Sequence, residues 1–197
     1  MFAVREIIKD ILYATELSDG EDAFTQCFIQ WEDPSFIRTH LQSQSALREY
    51  YHVSIGEATR LILQESKQLF LKFHKIVSGE LPIGTLDNMF IPLHANDDFT
   101  LQRVPAKAYG ISKAKSFLRL YAIRFSDGCY LIIGGYIKLH KTMQQSHEGI
   151  QILRDFKIWS DYLNKKGIDG AFELVTLISE KYNYAREITC KRIVQEQ

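Results

Sequence analysis

The run Tyr130-Leu-Ile-Ile-Gly-Gly-Tyr-Ile-Lys-Leu-His-Lys-Thr142 begins as an apolar strand and ends in Tyr136, Lys138, His140 and Lys141. By strand alternation, Tyr136, Lys138 and His140 share one face and Ile137, Leu139 and Lys141 the other, unless a bulge at Gly134-Gly135 shifts the register. Across the turn Ser126-Asp127-Gly128, the strand from Phe117 to Phe125 carries Arg119 on one face and Arg124 on the other. These groups suit phosphodiester chemistry on RNA. His140 can take the proton of a 2′-hydroxyl, while Arg119, Lys138 and Lys141 can stabilise charge growing on the phosphate. Tyr136 can stack on an unpaired base, and Lys113, Lys115 and Arg124 can add phosphate contacts. A strand ending in cations also serves as a solvated edge that deters aggregation, and spacing alone does not choose between the two.

The distribution of charge along the chain sharpens the choice. The 197 residues sum to zero net charge, yet residues 1 to 60 hold five Lys or Arg against ten Asp or Glu. From Leu101 to Gln145 there are eight basic residues against the single acid Asp127. An excess of seven positive charges in one segment is a field suited to an anionic partner. The other reading is that this segment packs on the acidic N-terminal part of the same chain.

Other chemistry loses its usual sequence support. There is no GxxxxGKS, HExxH, GxSxG or GxGxxG pattern. His40, His52, His74, His94 and His147 show no metal-ligand spacing, and Cys27, Cys129 and Cys190 form no CxxC pair. No metal, cofactor or disulfide framework is therefore expected. No apolar run reaches the roughly 20 residues of a membrane span, and the first residues lack a signal-type core, so the expectation is a cytoplasmic protein without a membrane partner.

The elements that must position these residues read as helices, then strands, then helices. Val4, Ile7, Ile8, Ile11 and Leu12 fall on one helical stripe, so the spacing predicts a helix from Val4 to Thr15. Asp22 or Ser18 can cap a short helix through Phe24 and Phe28, and another is expected from Ser35 to Tyr50. Ser54-Ile-Gly-Glu57 is a capping-box pattern that opens a long helix to Val77, closed by Gly79 and Pro82. Four strands follow, at Met89 to Leu93, Leu101 to Val104, Phe117 to Phe125 and Cys129 to Leu139, with Asp127-Gly128 as a tight hairpin turn. A helix from Glu148 to Lys166 and a C-terminal helix from Phe172 to about Val194 complete the chain. The prediction is thus an α+β protein with an antiparallel meander packed on helices. Residues 1–53 form a helical N-terminal extension, 54–170 the α+β domain and 171–197 the C-terminal helix. Alternation alone leaves open which of Arg119 and Arg124 points away from the long helix.

The strand Phe117-Leu-Arg-Leu-Tyr-Ala-Ile-Arg-Phe125, the Asp-Gly turn, Gly135-Tyr136-Ile137-Lys138 and Lys141-Thr142 together resemble the HigB-like branch of the RelE/ParE toxin superfamily, over about residues 55–166. Leu139 stands where that branch has a second lysine, and Met143 replaces its usual proline. The resemblance implies a RelE-like fold, ribosome-dependent cleavage of mRNA, and inhibition by an antitoxin protein. Two readings of function follow. One is a toxin-like RNA-binding endoribonuclease of a toxin-antitoxin system. The other is a non-catalytic RelE-like module that binds a protein partner or nucleic acid through its basic sheet face.

Overall fold

Strands form where β-branched and aromatic residues cluster, and they form at the N-terminus as well as in the second half of the chain. A computed structural model describes residues 2–42, 51–94, 103–110 and 116–178. Its strands are β1 (Val4–Ile8), β2 (Leu12–Thr15), β3 (Phe90–Pro92), β4 (Arg103–Tyr109), β5 (Leu118–Phe125) and β6 (Tyr130–Ile137). Its helices are α1 (Ala23–Glu32), α2 (Pro34–Gln42), α3 (Ile55–Val77), α4 (Thr85–Met89), α5 (His147–Lys166) and α6 (Ala171–Leu174). The α+β class is as predicted. The sheet has six strands in the order β1-β2-β6-β5-β4-β3. All neighbours are antiparallel except β2 and β6, which run parallel, so the sheet is mixed where an all-antiparallel meander was predicted.

The predicted helix from Val4 to Thr15 is instead the hairpin β1-β2. Its apolar residues satisfy either period, and tertiary pairing decides. Asp10 takes a φ of 59° in the turn, and Leu12, Tyr13 and Ala14 pair with Tyr130, Leu131 and Ile132. The predicted C-terminal helix is described only at its start. There, α6 gives way to a 3-10 turn at Val175–Leu177, and Ile178 bridges to Val4 in parallel. Its remainder, the second half of the helix expected at 35–50, and Lys113 with Lys115 lie outside the described residues.

Alternation sorts the strand side chains into two cores, one on each face of the sheet. Leu118, Leu120, Ala122 and Ile132 meet Trp31, Ile37, Ile62 and Leu69 of α1 to α3. Tyr121, Ile123, Phe125 and Tyr136 meet Ile152, Phe156, Trp159 and Leu163 of α5. The helices start where the sequence offers caps. Ser54 Oγ accepts from the Glu57 amide at 3.1 Å, Asp22 Oδ1 from the Thr25 amide at 2.8 Å, and Ser146 Oγ from the Gly149 amide at 3.0 Å. The hairpin turn is the predicted one, with Gly128 at a φ of 89° and the Cys129 amide donating to Asp127 Oδ1. Among the described residues, no helix is long and apolar enough to cross a membrane.

Candidate anion-binding pocket

The expected bulge is present in β6. Pairing with β5 shifts between Tyr121↔Gly134 and Ala122↔Ile132. Gly135 is required where β6 presses on β5 and α1: a Cβ there would lie 2.7 Å from the Arg119 carbonyl oxygen and 2.8 Å from the Trp31 ring. After the bulge, Gly135, Ile137 and Leu139 face α1 to α3, and Tyr136 and Lys138 face α5.

The same alternation answers which arginine points away from α3. Arg124 lies on the α3 side, where its Nε is 3.0 Å from Asp87 Oδ1 and 3.1 Å from the Tyr130 hydroxyl. Tyr130 itself donates to Asp87 at 2.6 Å. Arg119 lies on the α5 side. Antiparallel register sets Tyr109, Arg119 and Tyr136 in one row across β4, β5 and β6, and Lys107 beside Tyr121 in the next.

Lys107, Tyr109, Arg119, Tyr121, Lys138 and Lys141 thereby converge on a cavity of about 220 Å³. Among its described lining residues there are four Lys or Arg and no Asp or Glu. Arg119 is held for this position. Its side chain is only 6% exposed, its Nη1 donates to the carbonyls of Ser116 at 2.7 Å and Leu118 at 2.8 Å, and its Cζ sits 4.0 Å from the centroid of the Tyr109 ring. The cation-π contact and the two carbonyls fix the guanidinium without neutralising it. Lys107 Nζ donates to the Leu93 carbonyl at 3.0 Å, and Lys138 Nζ to the Lys141 carbonyl at 2.8 Å. Burial, then the nearby charges of Arg119 and Lys107, hold the Lys138 ammonium below the ordinary lysine value. Burial pushes the Tyr121 phenol well above its ordinary value, so it stays protonated, and it donates toward the Tyr136 hydroxyl at 3.4 Å.

The support behind Arg119 comes from the opposite layer. Glu65 of α3 is 2% exposed and accepts from Ser116 Oγ at 2.6 Å and from the amides of Phe117 and Leu118, each at 3.0 Å. It anchors the residues whose carbonyls hold the guanidinium.

Of the residues singled out in the sequence, the fold brings together Arg119, Lys138 and Lys141, with Tyr136 adjacent. Arg124 stands on the other face in its pair with Asp87. His140, half-buried in the bend after β6, is not among the residues lining this cavity. Lys107 and Tyr109 were not singled out. They become visible once β4 is extended to Tyr109 and placed in antiparallel register against Tyr121 and Arg119.

A second cavity, of about 290 Å³, lies beside the edge of β6 between α1, α2 and the start of α5, where Trp31, Phe36, His40, Tyr136, Glu148 and Ile152 line it. Among the described residues, no cluster of His, Cys, Asp and Glu is arranged to hold a metal ion. Comparison of the chain with protein-family models, curated proteins and solved structures finds no match.

Proposed function

We propose that the chain binds single-stranded RNA by seating a backbone phosphate against Arg119, Lys138 and Lys141. The observation that carries this reading is the Arg119 guanidinium, nearly buried and held by two carbonyls and a tyrosine ring, with the Glu65 carboxylate acting on it from behind and no Asp or Glu among the described residues lining the cavity in front of it. A phosphate supplies that charge in the planar, two-pronged geometry a guanidinium prefers. The resemblance to RelE/HigB-like toxins favours RNA among phosphorylated ligands, because Lys138, Lys141 and Thr142 of the elements that carry it line the pocket. The ribosome and an antitoxin protein are the partners that resemblance implies.

The test is fluorescence anisotropy of a labelled RNA oligonucleotide titrated at several salt concentrations. Lys138→Ala and Lys141→Ala should each weaken binding and flatten the slope of log K against log salt by about 0.7, the value for one lost phosphate contact on a single strand. Unchanged affinity and slope in the double variant refute the proposal.

Cleavage in the same pocket is a second reading, favoured by the placement of Lys138 in one cavity with Arg119 and Lys107, where burial and then their charges hold its ammonium below the ordinary lysine value. A lysine of lowered pKa can accept the 2′-hydroxyl proton while the neighbouring cations stabilise the phosphorane charge. Lys138→Arg then separates the two readings: it keeps the charge and the RNA binding but abolishes cleavage, and with it the growth arrest expected on induced expression. RNA recovered intact from the wild-type protein on ribosomes supports the non-catalytic module instead.

A further inference from the structure

We infer that the cavity beside the edge of β6 holds one unstacked base of the bound RNA and selects guanine. This rests on the RNA reading of the cationic pocket. Strand β2 pairs with β6 only from Tyr130 to Ile132, so the edge at Gly135–Ile137 borders the cavity in place of a further strand. At about 290 Å³ the cavity is at the small end for ligand sites, which suits a single ring system.

Its walls are flat and aromatic. The Phe36 and His40 rings lie within 9° of parallel with centroids 6.2 Å apart, and the buried Trp31 ring abuts Gly135. Trp31 is a buried wall, and the exposed Phe36 ring is the face that can stack on a base, a contact that tolerates any of the four. Selection comes from the polar group. Glu148, about a third exposed at the start of α5, has its carboxylate 3.7 Å from His40 Nδ1. Burial holds the His40 imidazole below its ordinary value despite Glu148 and the Ile137 carbonyl, so at neutral pH the carboxylate faces an uncharged ring.

An ionised carboxylate is an acceptor at both oxygens. Guanine alone presents two adjacent donors on its Watson–Crick edge, N1–H and the N2 amine. Adenine and cytosine set one donor beside a ring-nitrogen acceptor, and uracil flanks its one N–H with carbonyls, so each brings an acceptor against the carboxylate. The two cavities also sit side by side. Tyr136 lines this one, and its partner in register, Arg119, lines the cationic pocket. A base in one and its neighbouring phosphate in the other fit a single strand passing the end of β6.

The experiment has two arms with the full chain. In the first, uridine oligonucleotides carrying one central G, A, C or U are compared by anisotropy. The G oligonucleotide should bind about tenfold more tightly than the others, the discrimination of one good bidentate pair. Glu148→Gln, which offers one acceptor and one donor, should remove that preference. Phe36→Ala, a change at an exposed ring, should weaken all four oligonucleotides. In the second arm, guanosine and uridine are titrated by calorimetry, which probes the cavity without any phosphate. Guanosine binding no tighter than uridine overturns the inference whatever the RNA result. Four equal RNA affinities overturn it while leaving the proposed function standing, and guanosine binding without RNA binding overturns the proposed function and, with it, the placement of an RNA base in this cavity.

Discussion

Replacing Glu65 tests the framework beneath the cationic pocket. Its carboxylate is nearly solvent-free and accepts three hydrogen bonds, from the Ser116 hydroxyl and from the Phe117 and Leu118 amides. Glu65→Ala leaves two buried amides without their acceptor, at roughly 1–3 kcal/mol apiece, and turns the Ser116 hydroxyl to its longer bond with the Leu118 carbonyl, while entering water recovers part of the loss. We expect a net loss of about 4 kcal/mol, a large fraction of the stability of a domain this size. Glu65→Gln keeps one carbonyl oxygen and should lose about half as much. The assay is urea denaturation at pH 7, reading the midpoint at constant slope. A second signature separates this carboxylate from ordinary packing. Burial raises the Glu65 pKa, opposed by its hydrogen bonds to Ser116, Leu118 and Phe117 and by Arg119. The folded protein therefore holds this proton more tightly than the unfolded chain, whose carboxyl titrates near about 4.3. The Glu65 contribution is full below that pH and shrinks as pH rises through the raised folded value. The margin of the wild type over Glu65→Gln should accordingly narrow from acid toward neutral pH. A Glu65→Ala cost under about 1.5 kcal/mol, with no narrowing of that margin, would refute the anchoring role.

Three further outcomes are expected. Gly135→Ala places a methyl group 2.7 Å from the Arg119 carbonyl oxygen and 2.8 Å from the Trp31 ring, so the thermal midpoint should fall by an amount equivalent to about 2 kcal/mol or more. Arg124→Ala removes a half-exposed ion pair with Asp87 on the far face of the sheet and should leave RNA affinity unchanged, measured by the same anisotropy titration. The Lys138 ammonium is held below the ordinary lysine value, so RNA affinity should decline as pH rises toward 10.5, at lower pH than in Lys138→Arg.

The sequence patterns that survive folding are those fixed by local chemistry. Ser54-Ile-Gly-Glu57 caps α3, Asp127-Gly128 turns the β5-β6 hairpin, and the Ile152, Phe156, Trp159 and Leu163 spacing places α5 on the sheet. Val4 to Thr15 failed as a helix because its deciding contacts are with Tyr130 to Ile132, more than a hundred residues away, and its turn at Asp10 carries no Gly or Pro to announce it. The site divides along the same line. Arg119 and Lys138 were legible because β5 and β6 are joined by a short turn that fixes their alternation, whereas Lys141, which alternation sets on the face opposite Lys138, reaches the same cavity because β6 ends at Ile137 and the chain bends. Lys107 and Tyr109 required the register of β4, which no local signal sets.

The excess of positive charge between Leu101 and Gln145 is likewise two populations that a running sum cannot separate. Arg103 pairs with Asp169 and donates to the Ile168 carbonyl and the Asn164 side chain, while Arg124 pairs with Asp87. Those partners lie outside the acidic N-terminal stretch, where Asp22 holds Arg5 and Glu57 holds Arg60. The remaining described cations of the segment, Lys107, Arg119, Lys138 and Lys141, share one cavity. Alternation along β5 places Arg124 beside the Asp87 carboxylate and Arg119, five residues earlier, on the opposite face, where it lines one cavity with Lys107, Lys138 and Lys141.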